Sequence, residues 1–136
     1  MAHNYQKRWV FTWNADENDR IVDCKKLQEL LNEIAEEGVF QKERGKETKR
    51  LHIQGRFKLK GPRTGKKQLL KIFNEIYNIK NLTFEPERIY DSTKYCTKSL
   101  SRLEGPWFVG IDSYRAKNSR MVLNLRKWQK QLLNEP

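Results

Sequence analysis

Cysteine is scarce in this chain: Cys24 and Cys96 are the two cysteines among 136 residues. Two cysteines cannot build a disulfide framework, and their separation does not match a zinc-binding motif. No apolar run approaches the length that crosses a bilayer, and the N-terminal stretch MAHNYQKRWVF lacks the apolar core of a signal peptide. These absences predict an intracellular protein with free thiols in a reducing compartment, and no membrane partner.

Basic residues are in clear excess, because 28 Lys and Arg against 17 Asp and Glu give a formal net charge of +11. Such a charge indicates a polyanionic partner, with nucleic acid ahead of membrane. The basic residues are interleaved with 4 Trp, 5 Tyr and 6 Phe, a mixture that suits base stacking as well as phosphate contact. The length suffices for one domain with its own core.

Hydrophobic periodicity predicts an alternation of strands and helices. The predicted elements, in order, are a strand at 7–14, a helix through Leu27 and Ala35 that stops at Gly38, strands at 39–43 and 51–60, a helix over 69–77, a short strand near 81–87 and a third helix from Pro86 to about Leu100. The sequence GPW at 105–107 predicts a break. This β-α-β-β-α-β order is a split βαβ pattern of the α+β class, similar to ferredoxin and RNA-recognition folds. It predicts a four-stranded antiparallel sheet with helices on one face and an open opposite face.

Apolar and polar residues alternate in the stretch RLHIQGRF, residues 50–57, so they lie on opposite faces of the third predicted strand. Its apolar set includes Gly55, which allows something to approach closely. His52 and Gln54 share the polar face, and Glu43, nine residues before His52, can be brought beside it by a hairpin. Glu, His and Gln offer oxygen and nitrogen ligands without a thiolate, which suits Mg²⁺ or Mn²⁺ better than structural zinc. Taken alone, however, the HIQ pattern favours a plain solvent-facing strand.

The stretch YCTK, residues 95–98, supplies a second chemical group. Tyr95 and Lys98 are three residues apart, so they share a face of the predicted third helix, and Asp91 lies on that face too. Alone, this stretch is an ordinary helix fragment. Together with a metal site, a tyrosine and a lysine form a nucleophilic centre for a phosphodiester.

Three short motifs, FTWN, HIQG and YCTK, occur in this order. With these separations they resemble motifs I, II and III of the HUH endonuclease domain in replication initiator (Rep) proteins of small circular single-stranded DNA viruses. Most HUH proteins have a second histidine at the position of Gln54, whereas the circovirus and nanovirus type has a glutamine there, as this chain does. The stretch EGPWFVG resembles the one that follows the tyrosine in nanovirus-like members. The resemblance spans about residues 7–110. The chain departs from the family at Trp13, where Leu is more frequent, and in having no Gly or Pro just before His52.

The resemblance implies a role for each motif residue. Glu43, His52 and Gln54 would bind Mn²⁺ or Mg²⁺, with Glu47 as the alternative to Glu43. Tyr95 would be the nucleophile and Lys98 its helper. Motif I implies contact with origin DNA, and basic residues flank the first and third strands. The predicted DNA-binding residues are Lys7, Arg8, Thr12, Asn14, Arg56, Lys58, Lys60 and Arg63.

The resemblance also implies an activity, in which the protein nicks single-stranded DNA at an origin stem-loop. It would form a 5′-phosphotyrosine intermediate, initiate rolling-circle replication and rejoin the ends by strand transfer. The implied location is the host nucleus if the source is a virus, and homo-oligomerisation of the full-length protein stays open. We expect a nuclease domain over residues 1–115, then an amphipathic helix or linker over 116–136. Family members continue into a helicase domain, whose phosphate-binding Gly-rich loop this sequence does not contain.

Two rival functions fit the composition. A non-catalytic RNA-recognition-like module would share the fold, but it needs paired aromatic residues on its central strands. A basic structural protein would carry its charge in a disordered arm. A covalent adduct with single-stranded DNA would separate the nuclease from both.

Overall fold

The computed structural model describes residues 5–45, 49–88, 93 and 95–110, and of Tyr95 only the backbone. Glu47, Asp91 and the predicted C-terminal helix at 116–136 lie outside the described residues. The regular elements are β1 (Arg8–Asn14), α1 (Cys24–Ile34), β2 (Ala35–Arg44), β3 (Leu51–Leu59), α2 (Lys66–Asn74), β4 (Leu82–Pro86), a 3-10 turn (Tyr95–Thr97) and β5 (Arg102–Val109).

The strands form one antiparallel sheet in the order β4-β1-β3-β2-β5. Its first four strands follow the split βαβ pattern, because β3 lies between β1 and β2, and β1 lies between β3 and β4. The predicted α+β class is therefore confirmed. The sheet has a fifth strand that the periodicity does not predict, and this strand pairs with β2.

Both helices pack on one face of the sheet, over a core built largely from aromatic residues. Trp9, Phe11 and Trp13 alternate along β1 and are at most 1% exposed. Phe11 and Trp13 both contact Phe73 of α2, at ring-centroid distances of 6.2 and 6.1 Å. These aromatic side chains therefore stabilise the fold through burial and edge contacts and do not present faces for base stacking, as their interleaving with basic residues suggested.

Gly55 lies where two core rings meet. A Cβ atom at this position would lie 2.5 Å from the ring of Phe11 and 2.7 Å from Cβ of Phe40. The close approach predicted from this glycine is thus made by the protein's own core.

Helix α1 ends earlier than predicted, at Ile34, and β2 begins with the next residue. The N-terminus of α1 is capped by Asp23, whose carboxylate accepts a hydrogen bond from the N–H of Lys25. Gly38 does not stop the helix; it lies in β2, where a Cβ atom would be 2.9 Å from the carbonyl oxygen of Arg56. Pairing with β3 overrides the helical periodicity at this point, since strand formation depends on partners distant in sequence.

A β-bulge near the start of β2 sets the direction of its side chains. Ala35 pairs with Leu59 and Glu37 pairs with Lys58, so β2 advances two residues where β3 advances one. Ala35 faces the core. The extra residue changes the alternation, and Glu37, Gln41 and Glu43 consequently face away from the helices.

The predicted third helix is largely absent from the described residues. Within 95–101 there is a 3-10 turn of three residues, Tyr95–Thr97, followed by a turn into β5. The GPW sequence lies inside β5 instead of breaking the chain. The pairing of β5 with β2 is irregular here, because its register shifts between Phe40 and Lys42. Within the described residues, neither helix has the length and apolar character needed to cross a membrane.

Candidate active site

Glu43 and His52 face each other on the side of the sheet opposite the helices. The β2–β3 register pairs them directly, as the hairpin spacing predicts. His52 Nε2 lies 3.2 Å from Glu43 Oε1, and the two side chains are 18% and 1% exposed. The carboxylate is therefore sheltered, while one edge of the imidazole reaches solvent.

The two ring nitrogens of His52 have different partners. Nδ1 lies 3.2 Å from the carbonyl oxygen of Arg50, which can only accept, so Nδ1 carries a proton. In the neutral ring, the lone pair then belongs to Nε2, the atom that faces Glu43. The hydrogen bond with Glu43 raises the pKa of His52, against the opposing effect of burial.

Glu43 is held as a carboxylate by its surroundings. Burial alone would raise its pKa, but hydrogen bonds from His52 and Gln41 and the nearby charge of Lys98 outweigh burial and lower the pKa of Glu43. The carboxylate thus keeps its negative charge within a largely buried position. Once Nε2 of His52 gives up the proton that it donates to Glu43, the sheltered anion lies next to an imidazole lone pair, which is a suitable place for a cation.

The predicted ligand set fits a hard divalent cation. Adjacent ligands of an octahedral ion with bonds of about 2.1 Å are separated by about 3 Å, close to the 3.2 Å between His52 Nε2 and Glu43 Oε1. The Nδ1 contact with a backbone carbonyl is the outer contact that metal-binding histidines usually make. Gln54 lies on the same face of β3, two residues from His52 and opposite Gln41. No group of three or more His, Cys, Asp and Glu side chains suited to a metal occurs within the described ranges, so a site here depends on the Gln54 amide.

The segment 95–101 lies against the same side of the sheet. Its 3-10 turn contacts β2, β3 and β5. Lys98 Nζ is 3.9 Å from Glu43 Oε1, and the hydroxyl of Ser101 donates to the same oxygen at 3.2 Å. The predicted helix would place Tyr95 and Lys98 on one face, but among the described residues of this segment the helical structure is the 3-10 turn Tyr95–Thr97. Instead, Lys98 is positioned by Glu43, and Tyr95 comes three residues before it.

Two predicted DNA-binding residues, Arg8 and Arg56, lie in ion pairs at the other end of this face. Arg56 is fully buried and binds Glu87 through two hydrogen bonds, Nε to Oε2 at 2.7 Å and Nη2 to Oε1 at 2.9 Å. Its Nη2 also donates to Glu37 at 3.3 Å, and Arg8 lies 3.5 Å from Glu87 and 3.8 Å from Glu37. Arg56 therefore differs from the accessible phosphate contact predicted for it. We name the cluster of Arg8, Glu37, Arg56 and Glu87 the buried ion network.

The other predicted DNA-binding residues do not form one patch. Thr12 pairs with Gln54 and Asn14 pairs with His52, which places both beside the candidate ligands. Lys58 binds Glu36 at 2.7 Å. Lys60 Nζ donates to the carbonyl oxygen of Asn32 in α1 at 2.9 Å, a favourable place for a cation near a helix C-terminus. Lys7 is half-buried, and Arg63 is exposed next to α2.

This face is completed by Gln41, Ser101 and the carboxylates of the buried ion network, which are not among the predicted site residues. Gln41 and Glu43 are two apart on β2, so the strand alternation that identified Gln54 could also have identified Gln41. The carboxylates of the buried ion network and Ser101 carry no such signal, because their positions depend on long-range packing.

Comparisons with known proteins add no family assignment. No protein-family model matches the chain, and no curated protein sequence matches it significantly.

We expect His52→Ala and Gln54→Ala to weaken Mn²⁺ binding without unfolding the protein. Both side chains lie on the face opposite the core, so their truncation leaves no core cavity. Loss of a direct ligand should raise the Mn²⁺ dissociation constant by at least the ~10–100-fold that is typical of losing an outer contact. Isothermal titration calorimetry on the metal-free protein measures this change.

Glu43→Gln should weaken Mn²⁺ binding as well, because it removes the negative charge at the centre of the cluster. Gln28→Ala is the control, since it removes an amide from α1, which lies on the opposite side of the sheet. Wild-type affinity in both the His52 and Gln54 variants would remove these residues from the ligand set.

Proposed function

We propose that this chain is a metal-dependent, site-specific endonuclease and strand transferase that acts on single-stranded DNA through a tyrosine, as in the HUH nuclease domains of Rep proteins. One observation carries the proposal: Glu43 Oε1 lies 3.2 Å from His52 Nε2 and 3.9 Å from Lys98 Nζ. The Glu43 carboxylate therefore forms a candidate metal-binding pair with His52. It also lies beside the Lys98 ammonium, which follows the turn that carries Tyr95.

The chemistry begins with the phenol oxygen of Tyr95. This oxygen attacks the scissile phosphorus and loses its proton to solvent, the bond to the 3′ oxygen breaks, and that oxygen takes up a proton to leave as a 3′-hydroxyl. The DNA 5′-phosphate remains bonded to the tyrosine, so the reverse attack by a 3′-hydroxyl rejoins a strand. Glu43, His52 and Gln54 would hold Mg²⁺ or Mn²⁺, which when bound draws charge from a non-bridging phosphate oxygen.

Lys98 supplies positive charge beside this reaction. Its side chain is 43% exposed, so the ammonium can reach a phosphate that approaches Glu43 from solvent. Charge that develops on the phosphorane or on the leaving oxygen is stabilised by such a donor more than the charge of the bound substrate.

The open face supports the nuclease over a non-catalytic RNA-recognition-like module. Such a module stacks bases on aromatic side chains of its central strands. In the described central strands β1 and β3, the side away from the helices carries no Phe, Tyr or Trp. Its residues are Arg8, Val10, Thr12 and Asn14 on β1, and His52, Gln54, Arg56 and Lys58 on β3.

An end-labelled substrate tests the proposal directly. Stem-loop oligonucleotides with a randomised loop are incubated with the protein and Mn²⁺, then run on a denaturing gel. A 5′-phosphotyrosine bond keeps the 3′ label on the protein and releases the 5′ label. We expect only the 3′ label to migrate with the protein. If neither label does so while the protein still retards the oligonucleotide on a native gel, the chain is a binding module and the proposal is wrong.

Lys98→Ala should slow adduct formation far more than it weakens DNA binding. Removal of one positioned donor of this kind costs ~10²–10³ in rate. Single-turnover adduct formation at saturating protein and Mn²⁺ measures the chemical step. Lys26→Ala is the matched control, because Lys26 is an exposed lysine on α1, on the far side of the sheet. Equal and small effects in both variants would reduce Lys98 to part of the general basic field.

A further inference from the structure

Gln41 is a buried amide at the centre of the candidate site. It is fully buried on β2 and shares the polar face with Glu43. Its amide nitrogen donates to Glu43 Oε2 at 2.9 Å and to the carbonyl oxygen of Lys98 at 2.7 Å. One side chain therefore joins the candidate metal-binding carboxylate to the segment that follows Tyr95.

The orientation of this amide is fixed by its partners. Both groups that it contacts, a carboxylate and a backbone carbonyl, can only accept hydrogen bonds. A flipped amide would direct its oxygen at two acceptors, so the nitrogen must point toward them.

The contacts of Glu43 are divided between its two oxygens. Oε2 receives the Gln41 hydrogen bond, whereas Oε1 lies beside His52 and Ser101 at 3.2 Å each. By holding Oε2, Gln41 sets the rotation of the carboxylate so that Oε1 faces His52. Carboxylates that bind metals are usually fixed by such an outer hydrogen bond.

The amide oxygen of Gln41 argues against a purely structural role for this side chain. Gln41 Oε1 is buried and has no hydrogen-bond partner within the described part of the chain. A buried carbonyl without a partner destabilises the fold, and an apolar side chain of the same size would avoid that cost. The two donated hydrogen bonds are therefore the reason for an amide at this position.

We propose that Gln41 is a positioning residue for the nicking reaction: it orients Glu43 toward the cation and ties the 95–101 segment to the same carboxylate. This inference rests on the proposed function and adds a residue to that site. It makes Mn²⁺ affinity and the rate of adduct formation depend on a side chain that contacts neither DNA nor the scissile phosphate.

The test compares Gln41→Met with Gln28→Met. Methionine matches glutamine in length and removes both donors. Gln28 is the matched control because its amide also donates to a backbone carbonyl, that of Phe108 at 2.9 Å, but on α1. Three quantities are measured for each variant: thermal unfolding, Mn²⁺ affinity of the metal-free protein by calorimetry, and single-turnover adduct formation.

In Gln41→Met we expect a Mn²⁺ dissociation constant ~10–100-fold above wild type, the range found for lost outer contacts. Gln28→Met should keep wild-type affinity even where its thermal stability falls. Adduct formation in Gln41→Met should stay slow at saturating Mn²⁺, and adding Lys98→Ala should then slow it less than in the wild-type background.

Two outcomes overturn the inference. If Gln41→Met loses only thermal stability and binds Mn²⁺ as wild type does, Gln41 is structural. If the effects of Gln41→Met and Lys98→Ala on rate are additive, the amide does not couple the two. Should the methionine variant not fold, Gln41→Asn replaces it, since that amide is too short to reach both acceptors. Wild-type affinity in a folded Gln41→Asn again overturns the inference. A wild-type protein that neither binds Mn²⁺ nor forms an adduct removes the proposed function itself.

Discussion

Replacement of Tyr95 by phenylalanine is expected to abolish the covalent adduct with single-stranded DNA while leaving DNA binding intact. The change removes one oxygen, the atom that attacks phosphorus in the proposed reaction, and keeps the ring. The loss should be complete, because the other members of the site provide charge and orientation but no nucleophile. Adduct formation is followed with the 3′-labelled substrate, and binding is followed by fluorescence anisotropy of the same oligonucleotide.

Two other tyrosines serve as controls for that experiment. Tyr5 is 59% exposed, so it could react adventitiously. Tyr77 packs against Trp13 at a ring-centroid distance of 6.1 Å, on the side of the helices. Tyr5→Phe and Tyr77→Phe should both form the adduct at the wild-type level. A denaturation-resistant adduct in Tyr95→Phe would show that another residue is the nucleophile.

Arg56→Met should lower the free energy of unfolding by about 3–5 kcal/mol, the usual effect of removing one partner from a buried ion pair. The variant leaves Glu37 and Glu87 without the guanidinium between them, and the side chains of both glutamates are at most 2% exposed. Two buried carboxylates without that partner are unfavourable at neutral pH. Urea denaturation followed by tryptophan fluorescence measures the change.

Lys58→Met is the matched control for Arg56→Met, because it removes a cation from the same strand two residues away. Lys58 and Glu36 form an ion pair at 2.7 Å, but their side chains are 24% and 36% exposed. A solvent-exposed pair contributes about 0–1 kcal/mol. If both variants lose the same small amount of stability, the buried ion network does not hold the sheet together. A folded Arg56→Met with greatly reduced DNA affinity would restore Arg56 as a DNA contact.

Local patterns predict the first four strands of the sheet and the Glu43–His52 pair because both follow from alternation. The period of two along β3 separates Ile53 from His52 and Gln54 whatever lies around the strand. The spacing of nine residues between Glu43 and His52 fits a hairpin, and the register pairs them. These features need only the residues of two neighbouring strands.

Features that depend on distant partners were not predictable in the same way. Arg56 has the same position in the alternation as Lys58, yet it is fully buried because Glu37 comes from β2 and Glu87 from the residue that follows β4. Pro86 predicts the start of a third helix that runs to about Leu100, whereas the described residues of this range contain a single 3-10 turn followed by β5. A strand whose partner is β2 cannot be recognised from its own composition when it contains Gly and Pro.

The bulge between Ala35 and Glu37 makes the site sensitive to chain length. One extra residue in β2 opposite Leu59 and Lys58 directs Glu43 to the side of His52. Deletion of that residue would return β2 to simple alternation and turn the carboxylate of Glu43 toward the helices. No loop separates α1 from β2, so no neighbouring segment could absorb the change. Insertions and deletions should therefore be tolerated in the connection between β2 and β3 but not at the junction of α1 and β2, even though no residue of that junction lies in the site.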